Sequence, residues 1–335
     1  MRRRDFMKIG AGFGAANLAA ALAPPRSAHA QAKMVFKTSD VQPPGYPTVA
    51  ATENLGKKLS EATAGRLSIQ MYPSMQLGGE KETIEQTQIG AIQMLRVSVG
   101  SMGPIVDDIN VVNMPFLFKN TAHAEKMMDG AIGQELLDKI TASPNANLVA
   151  LSWMDSGARS LYNTKHPIKS IDDIKGLKFR VIGNPIFIDM MNALGGNGVA
   201  MGYDQVFGAL QTGVIDGAEN NFPSYVFANH YTVAKYFTLT EHLIIPEVLV
   251  FSKRIWNTLS ADDQALIKKF AREAQFEERE LWNQYEQRAL EKAKAAGSQI
   301  IEIADKTPFQ NAVKPVWDKY GPKYQDMIKR IQTIA

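Results

Sequence analysis

Residues 176–225 read GLKFRVIGNPIFIDMMNALGGNGVAMGYDQVFGALQTGVIDGAENNFPSY and alternate between extended and helical patterns. Segments 177–181, 186–194 and 204–212 predict a strand and two helices, because apolar residues recur first at period two and then at helical spacing. A short extended piece separates the two helices, and residues 214–221 predict a further strand that a glycine interrupts. This strand–helix–strand–helix–strand unit is typical of an open α/β sheet, whose ligands bind beyond the carboxyl ends of its strands.

Two arginines near predicted strand ends indicate the chemistry of the ligand. Arg180 lies among apolar residues of the first strand, so its charge needs a partner. Arg159 follows the glycine turn of the segment LVALSWMDSGARSLYN, just before another short strand. A guanidinium is a planar fork that matches a carboxylate in two parallel hydrogen bonds and stays charged at any working pH. Two such forks at one cleft predict an organic acid as the ligand, although Asp155 is near enough in sequence to pair with Arg159 instead.

Several motifs in fixed order carry a resemblance to a known family. G-L-K-x-R-V, A-L-G and A-L-Q-x-G-V-x-D-G-x-E-N, all within residues 176–220, resemble the substrate-binding proteins of tripartite ATP-independent periplasmic (TRAP) transporters, the DctP-like family. The similarity covers residues 36–320. It implies an α/β, two-lobe fold like that of periplasmic binding proteins, with a mixed sheet flanked by helices in each lobe and one long helix across both. It also implies capture of a small organic acid for TRAP membrane permease subunits, without enzymatic activity.

The resemblance implies roles for residues of this central unit. Arg180 would clamp the substrate carboxylate, Arg159 would support that contact, and Asn220 would bond a neighbouring oxygen. Asn184 and Tyr203 fall at positions that line the site. An Asx turn after the glycine is the alternative for Asn220, because asparagine favours such turns.

Further site residues come from strand ends elsewhere in the chain. Gln42 lies in the Pro-rich loop after the first predicted strand, at the end where ligands of this fold class bind. The resemblance implies that the end of the strand 91–99 touches the substrate, and it therefore adds Arg96 and Ser98. Glu247 begins a late apolar strand and is expected either to accept substrate hydroxyls or to pair with an arginine. The loop that holds Gln42 can equally be an ordinary Pro-fixed turn, and the side chain of Arg96 can extend to the surface instead.

The ligand class follows from a finer resemblance. D-G-A-E-N-N-x-P-S-Y, D-S-G-A-R-S and T-E-H before P-E-V-L-V-F-S resemble the sugar-acid branch of the family, whose members take hexuronates such as glucuronate and galacturonate. A polyol acid needs neutral donors and acceptors beside the arginine, and Gln42, Ser98, Asn220 and Glu247 are placed to supply them. C4-dicarboxylates such as malate or succinate remain the alternative ligands. A ligand-sensing partner of a receptor remains the alternative function.

The amino terminus predicts export. Residues 1–30 contain RRRDFMK, a weakly apolar Gly- and Ala-rich run and a final A-H-A, which together are typical of a twin-arginine signal and a periplasmic destination. Of 37 basic and 34 acidic residues, this segment holds five basic and one acidic, which leaves 32 and 33. The remaining chain is nearly neutral and therefore offers no basic surface for nucleic acid.

Composition and motif searches narrow the remaining functions. The chain has no cysteine, which excludes disulfides, thiolate metal sites and thiol nucleophiles. No metal-ligand spacing occurs, so no metal is expected, and no cofactor is expected either. No G-x-S-x-G motif occurs, which argues against a hydrolase. A secreted hydrolase using Asp155 or Asp216 with His230 is the rival class. The domain prediction places residues 33–156 plus 246–285 in lobe I and residues 157–245 plus 286–335 in lobe II of a monomer.

Overall fold

The computed structural model describes residues 33–334, so the predicted export signal at residues 1–30 lies outside the described residues. The strands are β1 (Met34–Ser39), β2 (Leu67–Tyr72), β3 (Met94–Ser98), β4 (Leu148–Met154), β5 (Ala158–Asn163), β6 (Lys178–Val181), β7 (Asn197–Ala200), β8 (Gly217–Asn220), β9 (Tyr236–Ile244), β10 (Glu247–Ser252) and β11 (Gln299–Ile301). The helices are α1 (Pro47–Ala62), α2 (Glu80–Gln88), α3 (Val99–Met102), α4 (Thr121–Asp129), α5 (Ala131–Ala142), α6 (Pro185–Ala193), α7 (Val206–Thr212), α8 (Phe222–Phe227), α9 (Lys253–Trp256), α10 (Ala261–Ala295), α11 (Thr307–Ala312), α12 (Lys314–Tyr320) and α13 (Gln325–Gln332).

These strands form two mixed sheets, which confirms the predicted fold class. The first sheet has the order β2-β1-β3-β10-β4, in which β1 is parallel to β2 and β3 while β10 is antiparallel to both of its neighbours. The second sheet has the order β11-β9-β5-β8-β6-β7, with β5 antiparallel to β8 and β9. Because the antiparallel strands start where the parallel strands end, both kinds bring functional residues to the same edge.

The chain passes between the sheets at three places. Residues 155–157 join β4 to β5, residues 245–246 join β9 to β10, and α10 leads towards β11. The last of these is the predicted long helix, and its presence is confirmed. Its 35 residues span about 53 Å at 1.5 Å per residue, and the Ser260 side chain caps it by accepting from the Asp263 N–H. The helix contacts α1 and β4 beside the first sheet and α8 beside the second.

Apolar faces of the sheets pack against these helices. Phe36 and Phe251 meet edge to face at 5.1 Å in a cluster that joins the first sheet to α1 and α10. Tyr162 and Phe237 stack at 5.9 Å in a second cluster, which joins the second sheet to α7, α8 and the end of α10. In residues 33–334, no helix combines the length and the apolar character needed to span a membrane.

One strand differs from the sequence expectation. The strand predicted over 214–221 begins at Gly217, where an interruption was expected. A Cβ at Gly217 would lie 2.5 Å from the Tyr162 carbonyl oxygen, so glycine permits close strand pairing here instead of ending the strand.

The lobe boundaries remain a prediction. However, the terminal segment placed in lobe II also contacts lobe I, because Tyr324 donates to Asp107 and Arg330 pairs with Glu135.

Candidate functional site

A cleft lies between the facing edges of the two sheets. It has about 340 Å³ of unoccupied space, including its mouth, and is lined by Val41, Gln42, Glu80, Arg96, Ser98, Arg159, Arg180, Ile182, Tyr203, Asn220, Ser224 and Glu247. Eight of the nine predicted site residues therefore meet at one place. The loop after β1, the end of β3 and the start of β10 lie at one of the facing edges. The start of β5 and the ends of β6 and β8 lie at the other, so residues distant in sequence meet in the cleft.

The first-sheet side of the cleft is organised by Arg96. Its guanidinium pairs with Asp40, with Glu247 at 2.6 Å and with Glu80 at 3.4 Å. We call Arg96 and these three carboxylates the acidic wall. Arg96 is only 2% exposed, so the predicted alternative in which its side chain extends to the surface is wrong. Burial raises the pKa of Glu247, and the positive charge of Arg96 acts against this rise.

The second-sheet side contains Arg159 in a rigid arrangement. Its Nε and Nη2 atoms donate to the two oxygens of Glu219 at 2.7 and 2.8 Å. Its Nη1 atom donates to the Asn220 Oδ1 atom at 2.7 Å. A bidentate pair of this kind fixes both direction and charge. Glu219 thus neutralises the charge of Arg159. Arg159 in turn fixes the orientation of the Asn220 amide by bonding its Oδ1 atom, and the Asn220 Nδ2 group has no partner in residues 33–334.

Arg180 differs from both other arginines of the cleft. Its Nε atom donates to the Met201 carbonyl oxygen at 2.8 Å, and its guanidinium lies 5.9 Å from the centre of the Tyr203 ring. Within the described part of the chain, no carboxylate lies within salt-bridge distance of it, although the side chain is only 5% exposed. Burial lowers the pKa of this guanidinium, and the charge of Glu219 opposes that shift only in part. We call Arg159, Arg180 and Asn220 the arginine wall.

Hydrogen bonds across the cleft connect its two sides. Ser224, in α8, accepts from the Gln42 Nε2 atom at 3.3 Å and shares a 3.0 Å hydrogen bond with the Tyr46 hydroxyl. The Tyr203 hydroxyl donates to the Ser224 carbonyl oxygen at 3.2 Å. Burial raises the pKa of Tyr203 to about 12, so its hydroxyl remains a donor at neutral pH. The Oε1 atom of Gln42 is buried and has no partner in residues 33–334.

Asn184 is the predicted site residue that the cleft does not include. Its Oδ1 atom caps α6 by accepting from the Ile186 N–H, and its Nδ2 group donates to the Gly100 carbonyl and to Asn110. The amide is therefore occupied by the protein itself. It connects the two halves of the molecule at a place that the ligand cleft does not reach.

The residues named for a hydrolase do not form a catalytic group. Asp155 pairs with Arg279 of α10 at 2.7 Å, so it is not the partner of Arg159. Asp216 pairs with Lys165 at 3.2 Å and precedes β8, whereas the cleft lies at the opposite end of that strand. His230 is bonded through Nδ1 to the Tyr162 hydroxyl, and burial lowers its pKa to about 3. Residues 33–334 contain no group of three or more His, Asp or Glu side chains that could hold a metal ion.

Two polar residues of the cleft were not predicted from the sequence. Glu80 begins α2 and accepts from the Ser98 N–H at 3.0 Å and from the Ser101 hydroxyl. Ser224 stands four residues after Asn220 in the motif N-N-F-P-S. The signal for Ser224 was present, because a helix that begins directly after a cleft-facing strand end presents its first turn to the same space. Glu80 had no comparable signal beyond its place after two glycines.

Comparisons with known proteins agree with this geometry. Residues 38–323 match the family described as bacterial extracellular solute-binding protein, family 7. A solute-binding protein of Chromohalobacter salexigens is 42% identical over 88% of this chain and 87% of its own length. The C4-dicarboxylate-binding periplasmic protein DctP of Rhodobacter capsulatus is 31% identical over 98% of this chain and 96% of its own.

Solved structures are similar over nearly the whole described chain. A TRAP periplasmic solute-binding protein of Pseudomonas putida F1 with bound D-glucuronate is 55% identical, with a TM-score of 0.88 over 90% of this chain and 97% of its own. One of Xanthobacter autotrophicus with bound β-D-galacturonate is 41% identical, with a TM-score of 0.86 over 90% of this chain and 100% of its own.

One relative has been solved in two states. The Citrobacter koseri protein with bound D-glucuronate is 47% identical, with a TM-score of 0.88 over 90% of this chain and 100% of its own. Its apo, open structure gives a TM-score of 0.79 at 45% identity, over 89% and 98% of the two chains. The arrangement described here is therefore nearer to the ligand-bound form of that protein than to its open form.

Proposed function

Because the chain belongs to family 7 of the bacterial extracellular solute-binding proteins, we propose that it captures a hexuronate such as glucuronate or galacturonate for uptake by a TRAP transporter. The observation that carries the proposal is Arg180. A buried guanidinium without a carboxylate partner in residues 33–334 is costly unless a ligand supplies the negative charge. Arg180 lines the cleft, so a ligand bound there would meet its guanidinium.

The roles within the site follow from which donors remain free. Within residues 33–334, Arg180 makes a hydrogen bond through its Nε atom only. Both of its Nη groups therefore remain free to bind a carboxylate. Asn220 retains its Nδ2 group for a neighbouring oxygen. Arg159 orients Asn220 and does not hold the ligand charge alone, because Glu219 already balances its charge. The other predicted residues that line the cleft are Tyr203, Ser98, Gln42, Arg96 and Glu247. Asn184 contributes indirectly, because its side chain caps α6.

The wider function is binding and delivery without chemical conversion. The partners are TRAP membrane permease subunits, and RRRDFMK near the amino terminus directs export to the periplasm by the twin-arginine route. A C4-dicarboxylate is the second candidate ligand, because the Rhodobacter capsulatus relative is named for binding one. Sensing through a receptor remains the alternative to transport, and ligand capture would be the same in both.

Isothermal titration of the purified protein tests the ligand. D-Glucuronate and D-galacturonate are titrated beside succinate, malate and the uncharged sugar D-glucose. We expect a uronate to bind at least about 100-fold more tightly than glucose, because a charge-assisted pair with a buried arginine is worth several kcal/mol. Binding of a dicarboxylate and of neither uronate would reject the hexuronate. Recovery of an altered uronate after incubation would reject binding without conversion.

A further inference from the structure

The two walls of the cleft carry opposite charge. The arginine wall has two guanidinium groups, and within residues 33–334 Glu219 is the only carboxylate that pairs with either of them. The acidic wall has one guanidinium, Arg96, and three carboxylates around it. Protonation of one of those carboxylates would still leave an excess of negative charge on that side. The electric field across the cleft therefore favours a ligand that is negative at one end only.

The unpaired hydrogen-bonding atoms of the two sides differ as well, with one exception: the buried Nε donor of Arg96 has no partner in residues 33–334. The free groups of the arginine wall, on Arg180 and Asn220, are donors. On the opposite side, Gln42 presents a buried Oε1 atom without a partner. Glu247 uses only Oε2 for Arg96, so its Oε1 atom has no hydrogen bond in residues 33–334. Both of these oxygens accept hydrogen bonds, and a hydroxyl can donate to them whereas a carboxylate cannot.

We propose that the acidic wall determines specificity: it accepts hydrogen bonds from hydroxyl groups at the far end of the ligand and excludes a second carboxylate there. Glu247 is the discriminating residue, because it adds both an acceptor and a negative charge. The inference rests on the proposed function in placing the one ligand carboxylate at Arg180. It goes further by separating sugar acids from dicarboxylates on physical grounds. A second carboxylate would meet like charge in a buried site and would leave two acceptors without donors.

A matched pair of ligands tests the acidic wall directly. D-Gluconate and D-glucarate have the same carbon chain and differ at one end, where a hydroxymethyl group replaces a carboxylate. Titration of the full protein with each should show gluconate binding more tightly by on the order of 100-fold. Glu247→Gln keeps the size and the acceptor oxygen but removes the charge. It should reduce that ratio by roughly 10-fold.

Glu241→Gln is the control variant. Glu241 is about half exposed, pairs with Lys306 and does not line the cleft, so the same loss of one charge there should leave the ratio unchanged. If Glu247→Gln does not fold, Glu80→Gln removes a charge from the same wall while Arg96 keeps two partners. Thermal unfolding of each variant shows which of them are folded before the ratios are compared.

The outcomes separate this inference from the proposed function. If the uronates bind but glucarate binds as tightly as gluconate, the acidic wall does not discriminate and the inference is overturned. The same holds if both open-chain acids fail to bind, or if Glu247→Gln and Glu241→Gln change the ratio equally. If neither uronate binds while the gluconate preference and its response to Glu247→Gln persist, the hexuronate proposal fails and the wall stands.

Discussion

Arg96 and Arg180 occupy opposite sides of one cleft and are buried almost equally, with 2% and 5% of their surfaces exposed. Arg96 is surrounded by three carboxylates of the protein, whereas Arg180 has none within salt-bridge distance in the described chain. The difference shows that burial alone does not identify a ligand-binding arginine. A paired arginine holds the protein together, and an unpaired one keeps its charge available to a ligand.

The largest expected effect is on the stability of an Arg96→Met variant. Removal of this guanidinium leaves Asp40, Glu80 and Glu247 near one another without a counter-charge, which costs about 4 kcal/mol of unfolding free energy. Urea denaturation at neutral pH measures it. Arg96→Lys, which keeps the charge, should lose less. An Arg96→Met protein as stable as the wild type would mean that Arg96 does not hold the acidic wall together.

Arg180→Met should show the opposite behaviour. The dissociation constant of the bound uronate should rise on the order of 100-fold, or about 3 kcal/mol, because the variant loses the positive charge that no carboxylate of residues 33–334 pairs with. Unfolding free energy should stay the same or rise, since an unpaired buried charge has been removed. Titration calorimetry and urea denaturation measure the two quantities. Arg180→Lys is the control and should fall between, because it keeps charge but loses the fork. A loss of stability as large as that of Arg96→Met would erase the contrast between the two arginines.

Two histidines beside the arginine wall should make stability depend on pH. Burial lowers the pKa of His230 to about 3 and of His242 to about 4, and Arg180 and Arg159 respectively add to the shift. An unfolded histidine binds a proton near pH 6.5, so the unfolded chain binds more protons below that pH. Each histidine therefore contributes stability that is complete above pH 6.5 and decreases by about 2 kcal/mol by pH 5.

The variants His230→Gln and His242→Gln isolate this contribution. Each should lose less stability than the wild type when the pH falls from 7 to 5, as followed by urea denaturation at several pH values. Burial raises the pKa of Asp155 to about 6, and this shift acts in the opposite direction. Comparison with the wild type removes it, because both proteins keep Asp155. Parallel pH curves for variant and wild type would show that neither histidine is held neutral.

The smallest expected effect is at the Ser224 hydroxyl, whose hydrogen bonds connect the two sides of the cleft. Ser224→Ala removes the hydroxyl that Gln42 and Tyr46 share. Loss of such hydrogen bonds costs about 1 kcal/mol, so uronate affinity should fall about fivefold in calorimetry. Ser224→Thr retains a hydroxyl and serves as the control. Unchanged affinity in Ser224→Ala would show that this contact does not contribute to the bound arrangement.

Local pattern was sufficient for much of the fold and for the membership of the cleft. Arg180, Asn220 and Glu247 could be placed because strand ends are visible as breaks in apolar periodicity. All parallel strands of a sheet deliver their carboxyl ends to one edge, so separate segments could be combined without knowing their order. The long helix was equally visible, because its periodicity continues from a serine cap to a glycine.

The ion-pair partners of charged side chains were harder to predict, because they depend on strand register and on packing between distant segments. Antiparallel pairing of β5 with β8 places Leu161 opposite Glu219, and this brings Arg159 to a carboxylate 60 positions away. Nearby Asp155 faces α10 instead and pairs with Arg279, 124 residues later. Sequence proximity favoured the wrong carboxylate for Arg159. Packing of the terminal helices on both halves of the chain was hidden for the same reason.

Gly157 has a consequence beyond the cleft. It sits where the chain leaves the first sheet, at φ +57°, and a Cβ there would lie 2.9 Å from a Glu286 oxygen and 3.0 Å from the Trp282 indole nitrogen of α10. A larger residue must displace the Glu286 and Trp282 side chains of α10, and it is also strained by the left-handed backbone conformation. The Citrobacter koseri relative has been solved in an apo, open form and in a glucuronate-bound form. We expect a substitution at Gly157 to shift any such equilibrium in this chain from a position that does not line the cleft. Evolution or design could tune the apparent affinity for cargo without altering a single atom that touches it.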